Sequence, residues 1–190
     1  MQVTKDGRSW QIGTPADVDW IASWATIGIT IATAIPPVFA AYATFDNLDD
    51  NLAEATAIAV QEAAVVQHLA DHSGDQPWWL GFLDTGAHDV VFDEAPRVGL
   101  YSDWPYVLVQ AGPSQALNWR TGHMRHGMGV LPDLFFPADR SWLVSGLWDD
   151  TWTCVGGPAE LIGNLRDDPR VRARLVRLDE DAAPPGHRNL

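Results

Sequence analysis

Two histidines, His68 and His72, lie four residues apart in a stretch with helical periodicity. This spacing puts both side chains on one helix face, where they would offer two metal ligands. The glutamate of the HExxH zinc motif is absent between them. His72 also falls at the expected end of the helix, where a histidine complements the helix dipole. We therefore interpret the pair as a solvated helix end and predict no metal site and no cofactor.

A glycine-rich segment carries the one basic cluster of the central chain, which comprises Arg120, His123, Arg125 and His126. Loops of this kind often hold binding residues, and cationic side chains suit a phosphate or a carboxylate. The alternative interpretation is local charge balance in an acidic chain. The sequence favours that alternative, and the anion site is kept as a hypothesis.

Paired carboxylates such as Asp149-Asp150 and Asp167-Asp168 suggest acid–base chemistry, which requires two carboxyl groups in unlike environments. The pairs fall where turns are expected, and aspartate favours turns through local hydrogen bonds. Cys154 lies in a predicted strand with no neighbouring histidine, and nucleophile-elbow, Walker and dinucleotide-binding motifs are absent. With no strong catalytic signature, a non-enzymatic role is favoured and enzymatic activity is left open.

Three helices are predicted in the N-terminal part. Thr14-Pro15-Ala16-Asp17 resembles a capping box and begins a helix expected over 15–27. Pro36-Pro37 is predicted to begin a second helix over 38–45, and an alanine-rich stretch predicts a third over 52–72. The uncharged run 20–45 lacks the continuous apolar length and basic flanks of a membrane span.

From Trp78 onward the apolar residues alternate with a period of two, which predicts strands. The expected strands are 78–83, 89–92, 105–111, 141–146 and 151–156, with helices over 115–120 and 159–165 and an amphipathic element over 170–178. The predicted class is α+β, a single domain with an antiparallel sheet of hairpins packed by helices. Its bounds are 1–178, with a helical part over about 14–72, a sheet-rich part over about 77–165 and a flexible tail over 179–190.

The chain of 190 residues has 12 Lys+Arg against 25 Asp+Glu, a formal net charge of −13. Nucleic acids and anionic membranes repel such a polyanion, and a single cysteine fits a reducing compartment. We therefore predict a cytoplasmic protein that binds neither nucleic acid nor membrane, with no prediction of oligomeric state. The 10 tryptophans are suited to cores, sugar platforms and protein interfaces alike.

Three parts of the sequence resemble the SUKH superfamily, a fold of many bacterial toxin-immunity and cell-wall-regulator proteins. Segment 35–42, with its Ile35-Pro36-Pro37 start, is similar to that family's helix at an aliphatic–proline pair. Segments 89–92 and 106–109 are similar to its central strands, and 142–162 to its closing hairpin and final helix. The resemblance implies an immunity or regulatory protein that inhibits a basic toxin or another protein.

We predict a non-enzymatic acidic domain that binds a basic protein, because opposite charge raises the rate of encounter. The candidate contact residues are turn aspartates and the tryptophans beside them, namely Asp84, Asp103, Trp104, Trp148, Asp149 and Asp150. Trp148 falls in the turn of the closing hairpin, and the alternative is that it folds back over its own sheet. A second function class is a small hydrolase or carbohydrate-binding domain with a tryptophan-lined cleft.

Overall fold

The computed structural model describes residues 1–24, 30–46, 55–84, 91–92, 94–120, 129–147 and 152–182. Within these ranges the helices are α1 (Pro15–Ala22), α2 (Ile31–Ala34), α3 (Ala55–Ser73), α4 (Pro113–Asn118) and α5 (Ala159–Asp167). The strands are β1 (Gln2–Lys5), β2 (Arg8–Ile12), β3 (Ala41–Asp46), β4 (Trp78–Leu83), β5 (Val98–Leu100), β6 (Trp104–Ala111), β7 (Leu134–Pro137), β8 (Leu143–Ser145), β9 (Trp152–Gly157) and β10 (Arg174–Leu175). The chain therefore has the predicted α+β class.

All the strand pairs are antiparallel, and the sheet order is β1-β2-β6-β4-β7-β8-β9-β3-β10, with β5 pairing with β6 outside this path. The predicted closing hairpin is confirmed, since β8 pairs with β9 from Leu143 opposite Gly156 to Ser145 opposite Cys154. The predicted strands at 78–83 and 105–111 are also present, as neighbours β4 and β6. These pairings fix the sheet on which the candidate site lies.

The predicted helix over 38–45 is wrong, because Ala41–Asp46 forms strand β3 beside β9. The four middle residues of β3 are buried, so both faces of the strand are covered. A strand buried on both faces has a continuous apolar sequence, which periodicity cannot distinguish from a buried helix. The first strands were not predicted either, and they join at Asp6-Gly7, where both residues have positive φ. The N-terminal part is therefore mixed rather than helical.

Three further predictions differ from the structure. Val91 and Phe92 lie in a turn rather than in the strand expected over 89–92, while 85–90 are outside the described residues. The amphipathic element over 170–178 contains only the short strand β10, which pairs with β3. Within the tail expected over 179–190, Asp181 bridges to Thr30 and Ala182 is buried, while 183–190 are outside the described residues.

The sheet separates two apolar cores. Trp78, Leu80 and Phe82 of β4 face a core that also contains residues of α3, α4 and α5. Trp79 and Leu83 face the opposite core, which contains residues of α1 and α2. Because all six residues of β4 are buried, this strand lies at the centre of the molecule and holds the strands beside it in place.

Trp142 lies in the core of α3 and α5 and is fully buried. Its ring meets Trp78 edge-on at 4.9 Å and Phe135 at 5.9 Å between centroids. Its indole N–H donates a hydrogen bond to the Ser73 hydroxyl oxygen at 2.8 Å. This environment places Trp142 in the core.

We expect Trp142→Ala to lower the free energy of unfolding by about 3–5 kcal/mol, because it leaves a large cavity in a close-packed core. Urea denaturation of the purified protein measures this loss. The matched control is Trp152→Ala, since Trp152 is only partly buried against the opposite core and should cost less. Equal losses for the two variants would contradict the assignment of Trp142 to the core.

Candidate functional site

Several strands end or begin together at one end of the sheet. Strands β3, β4 and β8 end there, and β6, β7 and β9 begin there. In the register, Gly81 of β4 lies opposite Leu134 of β7, which in turn lies opposite Ser145 of β8. We call Asp84, Arg97, Asp103 and Trp104, which lie at this end, the strand-end surface.

The backbone brings the predicted contact residues Asp84, Asp103 and Trp104 together. Asp84 follows β4, and its N–H donates a hydrogen bond to the carbonyl oxygen of Pro105 at 2.8 Å. Pro105 directly follows Trp104, with which β6 begins. The antiparallel pairing of β4 with β6 therefore brings Asp84 to the same strand end as Trp104, which lies about twenty residues further along the chain. The other predicted members, Trp148, Asp149 and Asp150, lie outside the described residues.

Asp84 is partly neutralised by Arg97. The Nε and Nη2 atoms of Arg97 both donate to Oδ2 of Asp84, at 3.0 and 2.8 Å. The Nη1 atom of the same guanidinium donates to the Ala95 carbonyl oxygen. Both side chains of the ion pair are about a quarter exposed, at 26% for Arg97 and 30% for Asp84. Asp84 consequently contributes less net negative charge to the surface than Asp103 does.

Asp103 is the exposed carboxylate of the strand-end surface. It ends a turn in which Tyr101, Ser102 and Asp103 all have positive φ, at 49°, 68° and 71°. A left-handed conformation is costly for residues other than glycine, and such strain is found at functional sites more often than elsewhere. Gly99 makes room for the turn, because a Cβ at that position would overlap the Asp103 carboxylate. Trp104 follows, half-buried against the core of α1 and α2.

Arg120, predicted as part of an anion-binding cluster, is engaged by a carboxylate of the protein itself. Its Nη2 lies 2.5 Å from Oδ2 of Asp133, and its Nη1 lies 3.2 Å from Oδ1. Nη1 also donates to the Leu131 carbonyl oxygen at 2.9 Å. The side chain is only 6% exposed, so the ion pair lies beneath the surface. His123, Arg125 and His126 are outside the described residues.

Glu62 of α3 is a buried carboxyl group that sequence inspection missed. Its Oε1 accepts the Leu131 N–H at 3.1 Å, and Gly129 packs so closely that a Cβ there would overlap the carboxylate. Burial raises the pKa of Glu62, while the N–H groups of Leu131 and Val130 and the charge of Arg120 act in the opposite direction. The helical periodicity of α3 gives no sign that Glu62 contacts Leu131, because the two residues are 69 positions apart in the sequence.

We expect the stability of the wild-type protein, relative to Glu62→Gln, to increase as the pH falls. A carboxyl group whose pKa is higher in the folded state than in the unfolded state binds its proton more tightly when folded. The increase should begin as the pH falls through the raised folded pKa and be complete below the ordinary glutamate pKa. Urea denaturation of both proteins across this range measures it, and a difference independent of pH would contradict the burial of an ionisable group at Glu62.

The histidine pair of α3 is divided between two environments. His68 Nε2 lies 2.8 Å from Oδ2 of Asp168, a residue that also accepts hydrogen bonds from the Arg170 guanidinium. The pKa of Asp168 lies well below its usual range, mainly because of its hydrogen bond with Arg170 and to a smaller extent because of the one with His68. His72 is exposed one turn further along the helix. No group of three histidine, cysteine or acidic residues in the described ranges is arranged to hold a metal ion.

No protein-family model, curated protein or solved structure matches this chain. The resemblance to the SUKH superfamily therefore stays a prediction from the sequence. In the structure, 106–109 lie in β6, 143–145 and 152–157 form β8 and β9, and α5 begins at Ala159, whereas 37–40 form a turn and bends before β3. In the described part of the chain, no helix combines the length and apolar character needed to cross a bilayer.

Proposed function

We propose that this chain is a non-enzymatic acidic domain that binds a basic protein through the strand-end surface. The proposal is carried by the exposed Asp103, which ends the turn that leads directly into the half-buried Trp104 at the start of β6. Interface hot spots favour tryptophan, with polar residues around it that exclude water. Charge of the opposite sign on a partner would increase its rate of encounter with this surface.

The charges of the described residues support this choice of surface. Asp84 is paired with Arg97, whereas Asp103 is exposed. The net charge of −13 on the whole chain also attracts a basic partner.

An immunity or regulatory role fits such a binder, because the resemblance to the SUKH superfamily implies inhibition of a toxin or another protein. The single cysteine, Cys154, favours a cytoplasmic location. The strong negative charge disfavours nucleic acid as the partner, since phosphates would be repelled.

Charge reversal at Asp103 is expected to abolish capture of a basic partner, because it replaces the exposed carboxylate of the turn before Trp104 with a cation. The immobilised wild-type chain, Asp103→Lys, Trp104→Ala and the control Asp75→Lys are each incubated with lysate of the source organism. Bound proteins are then identified by mass spectrometry. Asp75 is an exposed aspartate at the opposite end of the sheet, so its reversal makes the same charge change away from the proposed contact.

We expect the wild type and Asp75→Lys to capture a protein of basic pI. Asp103→Lys and Trp104→Ala should fail to capture it. Its association rate should fall steeply as the Debye length shrinks from about 30 Å to about 8 Å with added salt. Circular dichroism confirms that the variants are folded. Capture that survives both strand-end substitutions would contradict the proposed surface, and capture of a glycan or metabolite alone would contradict the proposed class of partner.

A further inference from the structure

A second surface feature lies away from the strand-end surface, where the tip of the β1–β2 hairpin meets α4. The two elements border an open cleft of about 380 Å³. The residues that line it are Lys5, Asp6, Ser114, Gln115, Asn118 and Trp119. This volume is within the range of small-molecule sites, near its lower end.

The acidic side chain of the cleft is held in a fixed position. Asp6 lies in the hairpin turn with φ of 55°, and Gly7 follows with φ of 70°. The indole N–H of Trp119 donates to Oδ2 of Asp6 at 2.9 Å, which links the hairpin tip to the end of α4. A carboxylate can accept several hydrogen bonds, and because Asp6 is exposed its remaining acceptor positions can be reached from the cleft.

The cleft wall behind Asp6 is rigid. Trp119 is buried, and its ring meets Trp10 edge-on at 4.8 Å and Phe92 edge-on at 5.3 Å between centroids. The side-chain amide of Asn118 donates through Nδ2 to the Ser114 carbonyl oxygen at 2.7 Å. That bond orients the amide and leaves its oxygen as an acceptor. Fixed polar groups of this kind reduce the entropy lost when a ligand binds.

The chemistry of the lining matches hydroxyl groups. Lys5, Gln115 and Ser114 supply hydrogen-bond donors, and Asp6 and Asn118 supply acceptors, all around one small cleft. A sugar hydroxyl both donates and accepts, so a polyhydroxylated molecule satisfies the mixed set. Lys5 and Asp6 together give the lining no net formal charge, so a neutral ligand suits it better than an anion such as phosphate. An apolar molecule would leave the charged groups unpaired.

We propose that this cleft binds a neutral, monosaccharide-sized polyhydroxylated ligand. Among the residues that line the cleft, Asp6 supplies the one carboxylate, so the arrangement supports binding and gives no pair for glycoside hydrolysis. The site is separate from the strand-end surface. Either assignment can therefore fail without affecting the other.

The test is a titration of the full chain, by NMR chemical shifts, with D-glucose, D-galactose, D-mannose and N-acetyl-D-glucosamine, each to about 10 mM. At least one sugar should bind with saturation and shift the Trp119 indole resonance. Asp6→Asn keeps an acceptor for the Trp119 N–H but removes the charge, and should weaken binding about 10-fold or more. Asn118→Ala should also weaken binding, whereas the control Asp19→Asn, an exposed aspartate on α1, should not.

Three results would overturn the proposal. The first is the absence of saturable binding by every sugar in the panel. The second is sugar binding that Asp6→Asn and Asn118→Ala leave unchanged. The third is preferential binding of glycine or inorganic phosphate, tested in the same titration, since either would assign the cleft to a charged ligand. The indole resonances of the variants show whether the packing of Trp119 is retained.

Discussion

The carboxylate of Asp133 holds together the end of the sheet at which the proposed contact lies. It accepts the N–H of Leu83, the last residue of β4, at 2.7 Å, and it pairs with Arg120, which follows α4. The carbonyl oxygen of Asp133 accepts the N–H of Gly146 at 2.9 Å, just after β8. One residue therefore connects β4, α4, β7 and β8. Because the ion pair is largely buried, removing one partner would leave the other charge without compensation.

The ion pair also keeps a cation inside the protein. Arg120 is directed inward, where its guanidinium lies 5.4 Å from the Phe82 ring centroid. Asp103, at the same end of the sheet, is an exposed carboxylate. The surface thus combines a fixed backbone, a half-buried indole and unbalanced negative charge, and these are the properties that the proposed binding of a basic protein requires.

Local signals predicted the parts of the fold that depend on local interactions. At the start of α1 the Thr14 N–H and hydroxyl both donate to the Asp17 carboxylate, as the capping sequence indicated, although α1 ends at Ala22. Period-two alternation likewise identified β8 and β9. Strand β3 was missed because it is buried on both faces. The Arg120–Asp133 pair and the Glu62 contact were missed because they depend on how distant strands and helices pack, which one sequence does not reveal.

The Arg120–Asp133 ion pair organises this end of the sheet, and a double-mutant cycle tests this role most directly. Arg120→Met retains much of the side-chain volume, and Asp133→Asn retains an acceptor for the Leu83 N–H, so the cycle isolates the charge interaction. Urea denaturation of the four proteins should give each single variant a loss of about 3–5 kcal/mol. The double variant should lose about 2–3 kcal/mol less than the sum of the two. Losses that add to within about 0.5 kcal/mol would contradict the claim.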